Sequence, residues 1–397
     1  MKQGETSKVV PFVRSRRLPD PARVAEFASM ARRLQRERAE SADVVTRALR
    51  DTPREQWPSL AARPELMSSG ALDRLAALGE ELERDPNAAL AVAELATAIA
   101  DALPPDSYPR VVIAQLRAHA WKDRARALCY LARYDDALSA LDRAQAELLP
   151  LGTLAHDQAI LDLVRSTVLQ HLRRYSEAEA LLSECRQVFT DFGDERLYRQ
   201  CTVACGNLLV RRGDYRAARE LLAPLIRDGD PDSIARARFA LGWSAIHLGM
   251  PEEALEHFRD AQRRSRQRGA DLEAVRAAYG AGSALLHLGR LDEAVEKLRY
   301  ARKELLGHAL VEEAGLSALE LVEVHMLRGE AEEARTLSAT VVREFADAGL
   351  SRRALTALAY LNDAIAASSA TPETVRNVHA YITELRHDPA RELAMPN

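Results

Sequence analysis

A pattern of about forty residues occurs twice in succession in the second half of the chain. The first copy contains FALGWSAIHLGMPEEALEHF (residues 239–258), and the second contains YGAGSALLHLGRLDEAVEKL (residues 279–298). Gly242 and Gly249 in the first copy correspond to Gly282 and Gly289 in the second, each forty residues further on. A fixed period of about 40 residues with helical content is typical of solenoids made of helix pairs. The pattern therefore predicts antiparallel helix pairs stacked one on another.

Two series of small residues extend the period through most of the chain. The alanines expected in the second helix of each pair are Ala137, Ala178, Ala218, Ala254, Ala294 and Ala334. The glycines expected at the end of each pair are Gly152, Gly193, Gly229, Gly269, Gly307 and Gly349. Both series advance in steps of 36 to 42 residues and keep nearly the same phase. Six consecutive units are therefore expected.

Composition is consistent with an all-α protein that carries no large excess of charge. Hydrophobic residues make up 47% of the chain, charged residues 29% and aromatic residues only 5%, which suits helices packed through Ala and Leu better than a β-sandwich. The net charge of −4 gives no general attraction to nucleic acid. No run of 18 apolar residues predicts a membrane span, and no apolar signal segment begins the chain, so we expect a cytoplasmic protein.

The residues at fixed positions in the units resemble those of the tetratricopeptide-repeat (TPR) superfamily. Trp121 lies eleven residues before its predicted turn, where the family has its tryptophan. Gly206, Gly242 and Gly282 lie seven residues before their turn glycines, where the family has its helix-packing glycine. The second helix is expected to open on a tyrosine in the early units, at Tyr134, Tyr175 and Tyr215.

The resemblance covers about residues 105–350 and implies an all-α, right-handed superhelix of helix pairs. The units here are 36 to 42 residues long instead of 34, and the closing proline of the family is absent. Both departures imply longer helices and loops, as in bacterial sensor-type members of the family. The motifs are specific for the fold but say little about function.

The sequence divides into five parts around the repeats. Residues 1–20 are predicted to be a disordered tail, 21–104 an N-terminal helical cap, 105–350 six TPR-like repeats, 351–386 a C-terminal capping helix pair, and 387–397 a tail. A charged run that ends at Glu40 predicts two separate helical segments before the break at 51–53. Two alternatives remain open near the N-terminus: the apolar segment 9–13 as a docking peptide, and residues 21–50 as a DNA-binding helix-turn-helix.

No motif of a common enzyme class is present, so the protein is expected to be non-enzymatic and to need no cofactor. The chain contains neither a phosphate-binding loop nor a dinucleotide fingerprint, and neither a nucleophile-elbow nor an H-E-x-x-H motif. The Gly280-Ala281-Gly282 sequence superficially suggests a nucleotide-binding loop. It falls at the packing position of a predicted helix, however, which favours a structural role.

Histidine and cysteine recur without the spacing of a metal site. His171, His247 and His287 each lie two residues before a predicted turn residue, which suggests a shared surface, but no third ligand recurs beside them. Cys201 and Cys205 lie one helical turn apart and are interpreted as small buried side chains in a reducing compartment. No metal site is therefore predicted.

The TPR resemblance also implies which residues line the concave groove. In this family the first helix of each pair faces the groove, at fixed offsets before the turn. In this chain those offsets select Lys122, Arg126, Tyr130, His171, Asn207, Arg211, Arg236, Phe239, Trp243, His247, Arg276, Tyr279 and His287. Such a set of basic, amide and aromatic side chains suits an acidic or carboxylate-bearing peptide. The alternative is that these residues are solvated or paired within the chain.

Two functional hypotheses follow. The first is a non-enzymatic scaffold that binds a protein or an acidic peptide in the concave groove, without membrane association and with nucleic acid an unlikely partner. The second is a regulator of transcription or signalling that responds to a peptide or metabolite and acts through the N-terminal cap. The sequence determines neither the partner nor the oligomeric state.

Overall fold

The computed structural model describes residues 21–82, 85–152, 154–349 and 351–385, and within these ranges it consists of α-helices and three short 3₁₀ segments, with no β-strand. The expected tails at 1–20 and 387–397 lie outside the described residues. The helices are α1 (Pro21–Arg50), α2 (Ser69–Glu81), α3 (Pro86–Ala102), α4 (Arg110–Tyr130), α5 (Tyr134–Leu148), α6 (Ala155–His171), α7 (Tyr175–Phe192), α8 (Glu195–Arg212), α9 (Tyr215–Leu222), α10 (Leu225–Asp228), α11 (Pro231–His247), α12 (Pro251–Gln267), α13 (Asp271–His287), α14 (Leu291–Gly307), α15 (Val311–Leu327), α16 (Ala331–Asp347), α17 (Arg352–Ala366) and α18 (Pro372–Leu385). In the same described ranges, no helix is both long and apolar enough to cross a membrane.

The helices stack as pairs, which confirms the all-α solenoid predicted from the period. The first helices of the pairs are α4, α6, α8, α11, α13 and α15. Each contacts its second helix, and each of the first five also contacts the first helix of the next pair. The second helices pack mainly against first helices. The first helices therefore form the inner, concave layer of the superhelix, and the second helices form the outer layer.

Proline explains the shortest unit. Its second helix is divided into α9 and α10, because Pro224 cannot donate a backbone hydrogen bond and interrupts the helix. The divided helix shortens the step between Ala218 and Ala254 to 36 residues, whereas the steps that follow are 40 residues.

The turns between helices require a left-handed residue, but that residue is not always the predicted glycine. Gly152, Gly193, Gly269 and Gly349 have positive φ, as expected of residues that end helices. Two other glycines at the ends of pairs, Gly229 and Gly307, do not take this conformation. Gly229 has extended backbone with φ of −80°, and Gly307 is still inside α14, so that Ala309 takes the left-handed conformation with φ of 58°.

The packing glycines make room for a large side chain of the second helix. A Cβ atom on Gly206 would lie 2.6 Å from the Leu222 side chain, and one on Gly242 would lie 2.7 Å from the Phe258 ring. The sequence correctly predicts close packing at these glycines. The close neighbour is the core side chain sixteen residues further along the chain.

Helix α1 is continuous, which corrects the prediction of two segments. It runs for 30 residues through the charged stretch, because that stretch consists of good helix formers and includes an i,i+4 ion pair between Arg33 and Glu37. Glu37 also accepts hydrogen bonds from Ser69 Oγ (2.6 Å) and Tyr108 Oη (2.5 Å). Gly70 of α2 allows α1 and α2 to pack closely, since a Cβ atom there would lie 2.1 Å from the Glu37 carbonyl oxygen.

The two ends of the stack differ. At the N-terminal end, α2 contacts α3 and α4, and α3 contacts α4, as the helices of a further unit would. At the C-terminal end, α18 packs against α17 and then folds back onto α15, a first helix of the preceding unit. The second helices of the other units pack instead against the first helix of the next unit.

Candidate functional site

A chamber of about 700 Å³ lies on the concave side of the superhelix. Its walls come from the first helices α4, α6, α8, α11 and α13, from the end of α2, and from residues 268–270 between α12 and α13. Seven of the thirteen predicted groove residues line it: Arg126, Tyr130, His171, Asn207, Arg211, Arg236 and Arg276.

The chamber crosses the inner layer obliquely. It touches α4 near its C-terminal end at Arg126 and Tyr130, and α8 along its length from Arg196 to Arg211. It then touches α11 and α13 near their N-terminal ends, at residues 232–236 and 271–276. Each unit thus presents a different part of its first helix to the same cavity.

The superhelix curls far enough for the first and fifth units to face each other across the chamber. The electrostatic environment of Arg276 on α13 includes Tyr130 on α4. Burial raises the pKa of the neighbouring Cys129 thiol to about 11, and the positive charges of Arg211 and Arg276 oppose that rise. The site is therefore a curled chamber with walls on several sides.

Charge in the chamber is mixed, with a small excess of arginine. The basic residues are Arg126, Arg196, Arg211, Arg236, Arg268 and Arg276, and the acidic residues are Glu80, Glu81, Asp232, Asp271 and Glu273. A chamber lined in this way can pair with a carboxylate and can also hold an ammonium group. It suits a peptide with both kinds of charge better than a purely anionic molecule.

Several of these arginines are held in place by neighbouring carboxylates. Arg276 forms a two-pronged ion pair with Glu313, at 2.8 Å from Nε and 2.7 Å from Nη2. Burial lowers the pKa of Arg276, but the Glu313 carboxylate more than offsets this effect, so the guanidinium stays charged. Arg236 Nε lies 3.2 Å from Glu273 Oε1 and 3.5 Å from Asp232 Oδ2. The two arginines are therefore positioned in advance of any ligand.

Two amide side chains on α8 complement the charged groups. Gln200 and Asn207 both line the chamber, are partly buried, and make no side-chain hydrogen bond to the part of the chain that the structure describes. An amide offers two donors and one acceptor, which match the backbone groups of an extended peptide. Asn207 was predicted from its offset before the turn. Gln200 lies on the same face of α8.

The remaining predicted groove residues lie outside the chamber. Phe239, Trp243 and Tyr279 are partly buried and pack with the Phe258 ring in the core of the fourth and fifth units; Phe239 and Trp243 meet it directly, at centroid distances of 5.8 and 5.3 Å. Lys122 lies over a separate cavity of about 120 Å³ beneath α2 and α3 and pairs with Asp123 at 3.0 Å.

The recurring histidines make contacts between units. His171 stacks on Tyr134, and His247 stacks on Tyr215 with ring centroids 4.4 Å apart; each tyrosine opens the second helix of the preceding unit. His287 has no tyrosine at the equivalent position, and its Nδ1 bonds the Ser283 carbonyl at 2.9 Å. Burial lowers the pKa of His247, and the neighbouring His287 lowers it further.

The chamber also contains residues that the repeat offsets did not select. Glu80 and Glu81 come from α2, which lies outside the predicted repeats, and Arg268 and Glu273 come from a turn and the start of a helix. No offset from the turn glycine could have found them, because the curl of the superhelix brings them to the site.

The cysteines are free thiols within the helices; the interpretation of Cys201 as buried is confirmed, and that of Cys205 is wrong, because Cys205 is partly exposed. Cys185 and Cys201 are buried, whereas Cys129 and Cys205 are partly exposed. Across the described ranges, no group of three or more His, Cys, Asp or Glu side chains is arranged to hold a metal ion.

Comparison with known proteins identifies the repeats. A sequence profile described as tetratricopeptide repeat matches residues 204–269 and 266–309. No curated protein matches the sequence. Similar folds occur in the Rap conjugation gene regulator of the plasmid pLS20, solved in complex with the Phr* peptide (13% identity, TM-score 0.54, covering 90% of this chain and 99% of that one).

A second similar structure is the STAND protein PH0952 of Pyrococcus horikoshii, described as having a tetratricopeptide-repeat sensor (12% identity, TM-score 0.55). The match covers 90% of this chain and 53% of that one. At these identities, the two structures establish similarity of fold.

Proposed function

Because the chain is a member of the tetratricopeptide-repeat superfamily, we propose that it is a non-enzymatic binding protein whose concave chamber holds a short, carboxylate-bearing peptide. The observation that carries this proposal is the chamber itself, to which five successive first helices contribute arginine, amide or aromatic side chains. Its volume of about 700 Å³ falls in the range of about 300–1,000 Å³ typical of small-ligand sites. The occupant is therefore a few residues of extended chain or a molecule of similar size.

Positioned polar groups explain how such a peptide would be recognised. Arg211, Arg236 and Arg276 supply donors for carboxylates, while Asn207 and Gln200 supply donors and acceptors for the backbone. Side chains already held by ion pairs lose little conformational entropy when a ligand binds, which favours affinity. The Rap regulator of similar fold was solved with a peptide, which is consistent with this use of the fold.

The test is direct binding of fluorescent random pentapeptide pools sorted by net charge, measured by fluorescence anisotropy. We expect the pool with net negative charge to bind more tightly than the basic pool, and Arg211→Ala to weaken that binding at least ~10-fold. Arg299→Ala is the matched control, because Arg299 is exposed on the outer-layer helix α14. Equal binding of all pools, or equal effects of the two substitutions, would reject the chamber as the site.

A second function, a ligand-responsive regulator, is favoured by the presence of α2 in the chamber wall. Glu80 and Glu81 line the chamber, and α2 packs against α1 through Gly70. A ligand that pairs with these carboxylates would contact the repeats and the N-terminal helices at once. Amide hydrogen exchange in α1 should then slow when pentapeptides that carry both an acidic and a basic residue are bound, and unchanged exchange in α1 would favour the simple scaffold.

A further inference from the structure

The C-terminal helix α18 occupies part of the inner layer, in a position that none of the other second helices takes. Its buried face, including Val378 and Ile382, joins the apolar core of α15, which includes Leu319 and Val322. This apolar contact holds α18 over the concave side of the last two units.

A polar seam runs beside the apolar contact. Tyr279 Oη lies 2.9 Å from Glu320 Oε1 on α15 and 3.2 Å from His379 Nε2 on α18. Further along the seam, Arg376 donates to Glu323 Oε1 at 2.5 Å. The seam therefore joins three helices, α13, α15 and α18, through ionisable side chains.

Glu320 is an unusual member of this seam. It is 8% exposed, and its Oε2 atom is buried without a hydrogen-bond partner among the described residues. Arg376, the nearest cation on α18, is engaged by Glu323 and has an exposed side chain. Among the described residues of the seam, His379 is the basic side chain nearest to compensating an ionised Glu320, since its Nε2 lies 3.9 Å from Glu320 Oε1, and it can do so only when the imidazole is protonated.

The surroundings of Glu320 favour its neutral form. Burial raises the pKa of Glu320 to about 8, the hydrogen bonds from Tyr279 and Ser283 oppose this rise, and the charge of Glu323 adds to it. Burial also lowers the pKa of His379 to about 4, so the imidazole is neutral near pH 7. Tyr279 donates its one proton to Oε1 of an ionised Glu320. A protonated Glu320 can instead donate to Tyr279 Oη, which leaves the tyrosine proton free to bond His379 Nε2.

We propose that α18 is a proton-controlled latch, which stays docked on the inner layer while Glu320 is protonated and is weakened when this carboxyl group loses its proton. Release would uncover Tyr279, which lies one helical turn from Arg276 in the chamber wall. Release of α18 at higher pH would therefore expose more of the concave surface. The proposal does not depend on the identity of the chamber's ligand.

The sign of the pH effect follows from proton binding. Glu320 on α15 holds its proton more tightly while α18 is docked than after release, when the pKa of its carboxyl group returns to the ordinary 4.5. The Glu320 proton therefore favours docking of α18 most strongly at low pH. Docking weakens as pH rises from 4.5, the ordinary pKa of the carboxyl group, through about 8, its pKa in the docked state. Protonation of His379 opposes docking only at acidic pH, below its ordinary value of 6.5. Between pH 7 and 9 the docking equilibrium should fall about tenfold.

The experiment is amide hydrogen exchange of the full-length protein between pH 7 and 9, normalised to the intrinsic exchange rate. We expect normalised exchange in residues 372–385 to rise about tenfold in the parent protein, while exchange in α4 and α5 stays constant. In Glu320→Gln, which keeps the seam neutral, exchange in α18 should not change with pH. Glu373→Gln is the matched control, since Glu373 is an exposed carboxylate on α18 itself, and this variant should behave like the parent.

Two results would overturn the latch. One is constant normalised exchange of α18 in the parent between pH 7 and 9. The other is an equal rise in the parent and in Glu320→Gln, which would assign the change to other groups. If Glu320→Gln fails to fold, Tyr279→Phe provides the second test. This variant removes the hydroxyl that connects Glu320 to His379 and should make α18 exchange faster at pH 7, and unchanged exchange would equally reject the proposal.

Discussion

Substitution of Gly242 tests how the units are packed. A Cβ atom at this position would lie 2.7 Å from Cε1 and Cζ of Phe258, well inside van der Waals contact. The ring is 0% exposed and cannot retreat easily, because Gly280 of the next unit is equally close on another side, where a Cβ would lie 2.4 Å from the ring. Phe258 is thus enclosed by two glycines from successive units.

The magnitude follows from two opposing terms. Overpacking of a filled core costs about 1–3 kcal/mol. Alanine gains about 1 kcal/mol over glycine in a helix interior. Gly242→Ala should therefore be destabilising by about 1 kcal/mol net, and Gly242→Leu, which inserts three more carbon atoms, by about 3 kcal/mol.

The assay is denaturant unfolding followed by circular dichroism, together with hydrogen exchange in α11 and α12 to locate the effect. Gly79→Ala is the matched control, since Gly79 lies inside α2 and a Cβ atom there would meet nothing within 4 Å. In this control, the free energy of unfolding should rise by about 0.5–1 kcal/mol. If Gly242→Ala stabilises the protein as much as Gly79→Ala does, the packing described for Phe258 is wrong.

Three further predictions concern the chamber, α1 and the thiols. Replacing Arg236 and Arg276 together by alanine should weaken acidic-peptide binding by more than about tenfold, with a smaller effect at high salt; unchanged anisotropy titrations would contradict the proposed site. Burial raises the pKa of Glu37, but hydrogen bonds from Ser69, Tyr108 and Arg33 lower it overall. The packing of α1 against α2 should accordingly be stable above pH 4.5 and weaken as pH falls through the lowered pKa of Glu37. Hydrogen exchange of α1 in the parent and in Glu37→Gln would measure this effect. Burial raises the pKa of Cys185 to about 12, so this thiol should stay unlabelled by iodoacetamide in the native protein, in contrast to the denatured protein.

The helix pairs could be predicted from the sequence because small residues repeat at the same positions in successive units. Ala254 and Ala294 are fully buried in second helices, and Gly242 and Gly282 lie against Phe258 and Leu298. These positions depend on contacts within one unit, so they recur at the period of the unit. Local sequence is sufficient to identify them for this reason.

Predictions that depended on a single local signal were less accurate. The charged stretch in α1 suggested a break, yet helix propensity and the Arg33–Glu37 pair keep the helix continuous to Arg50. Gly307 ends its unit as the last residue of α14, but the left-handed residue of the turn is Ala309. A glycine permits a left-handed turn but does not require one.

The groove residues show the limit of the repeat offsets. Arg236 and Arg276 share an offset and line the chamber, whereas Trp243 and His247, also selected by offset, pack outside it. The offsets describe a face of one helix, but the chamber crosses that face obliquely. Only part of each predicted stripe therefore reaches the cavity.

The sequence by itself determined the helix pairs, their period and their packing glycines, because each of these depends on contacts within a unit or between adjacent units. Only the tertiary structure decided that α2 and α13 close one chamber and that α18 folds back onto α15. Small rotations between neighbouring units add up along the superhelix, so residues many units apart are brought together by the sum of these rotations. No local pattern in the chain encodes that sum, and the chamber results from it.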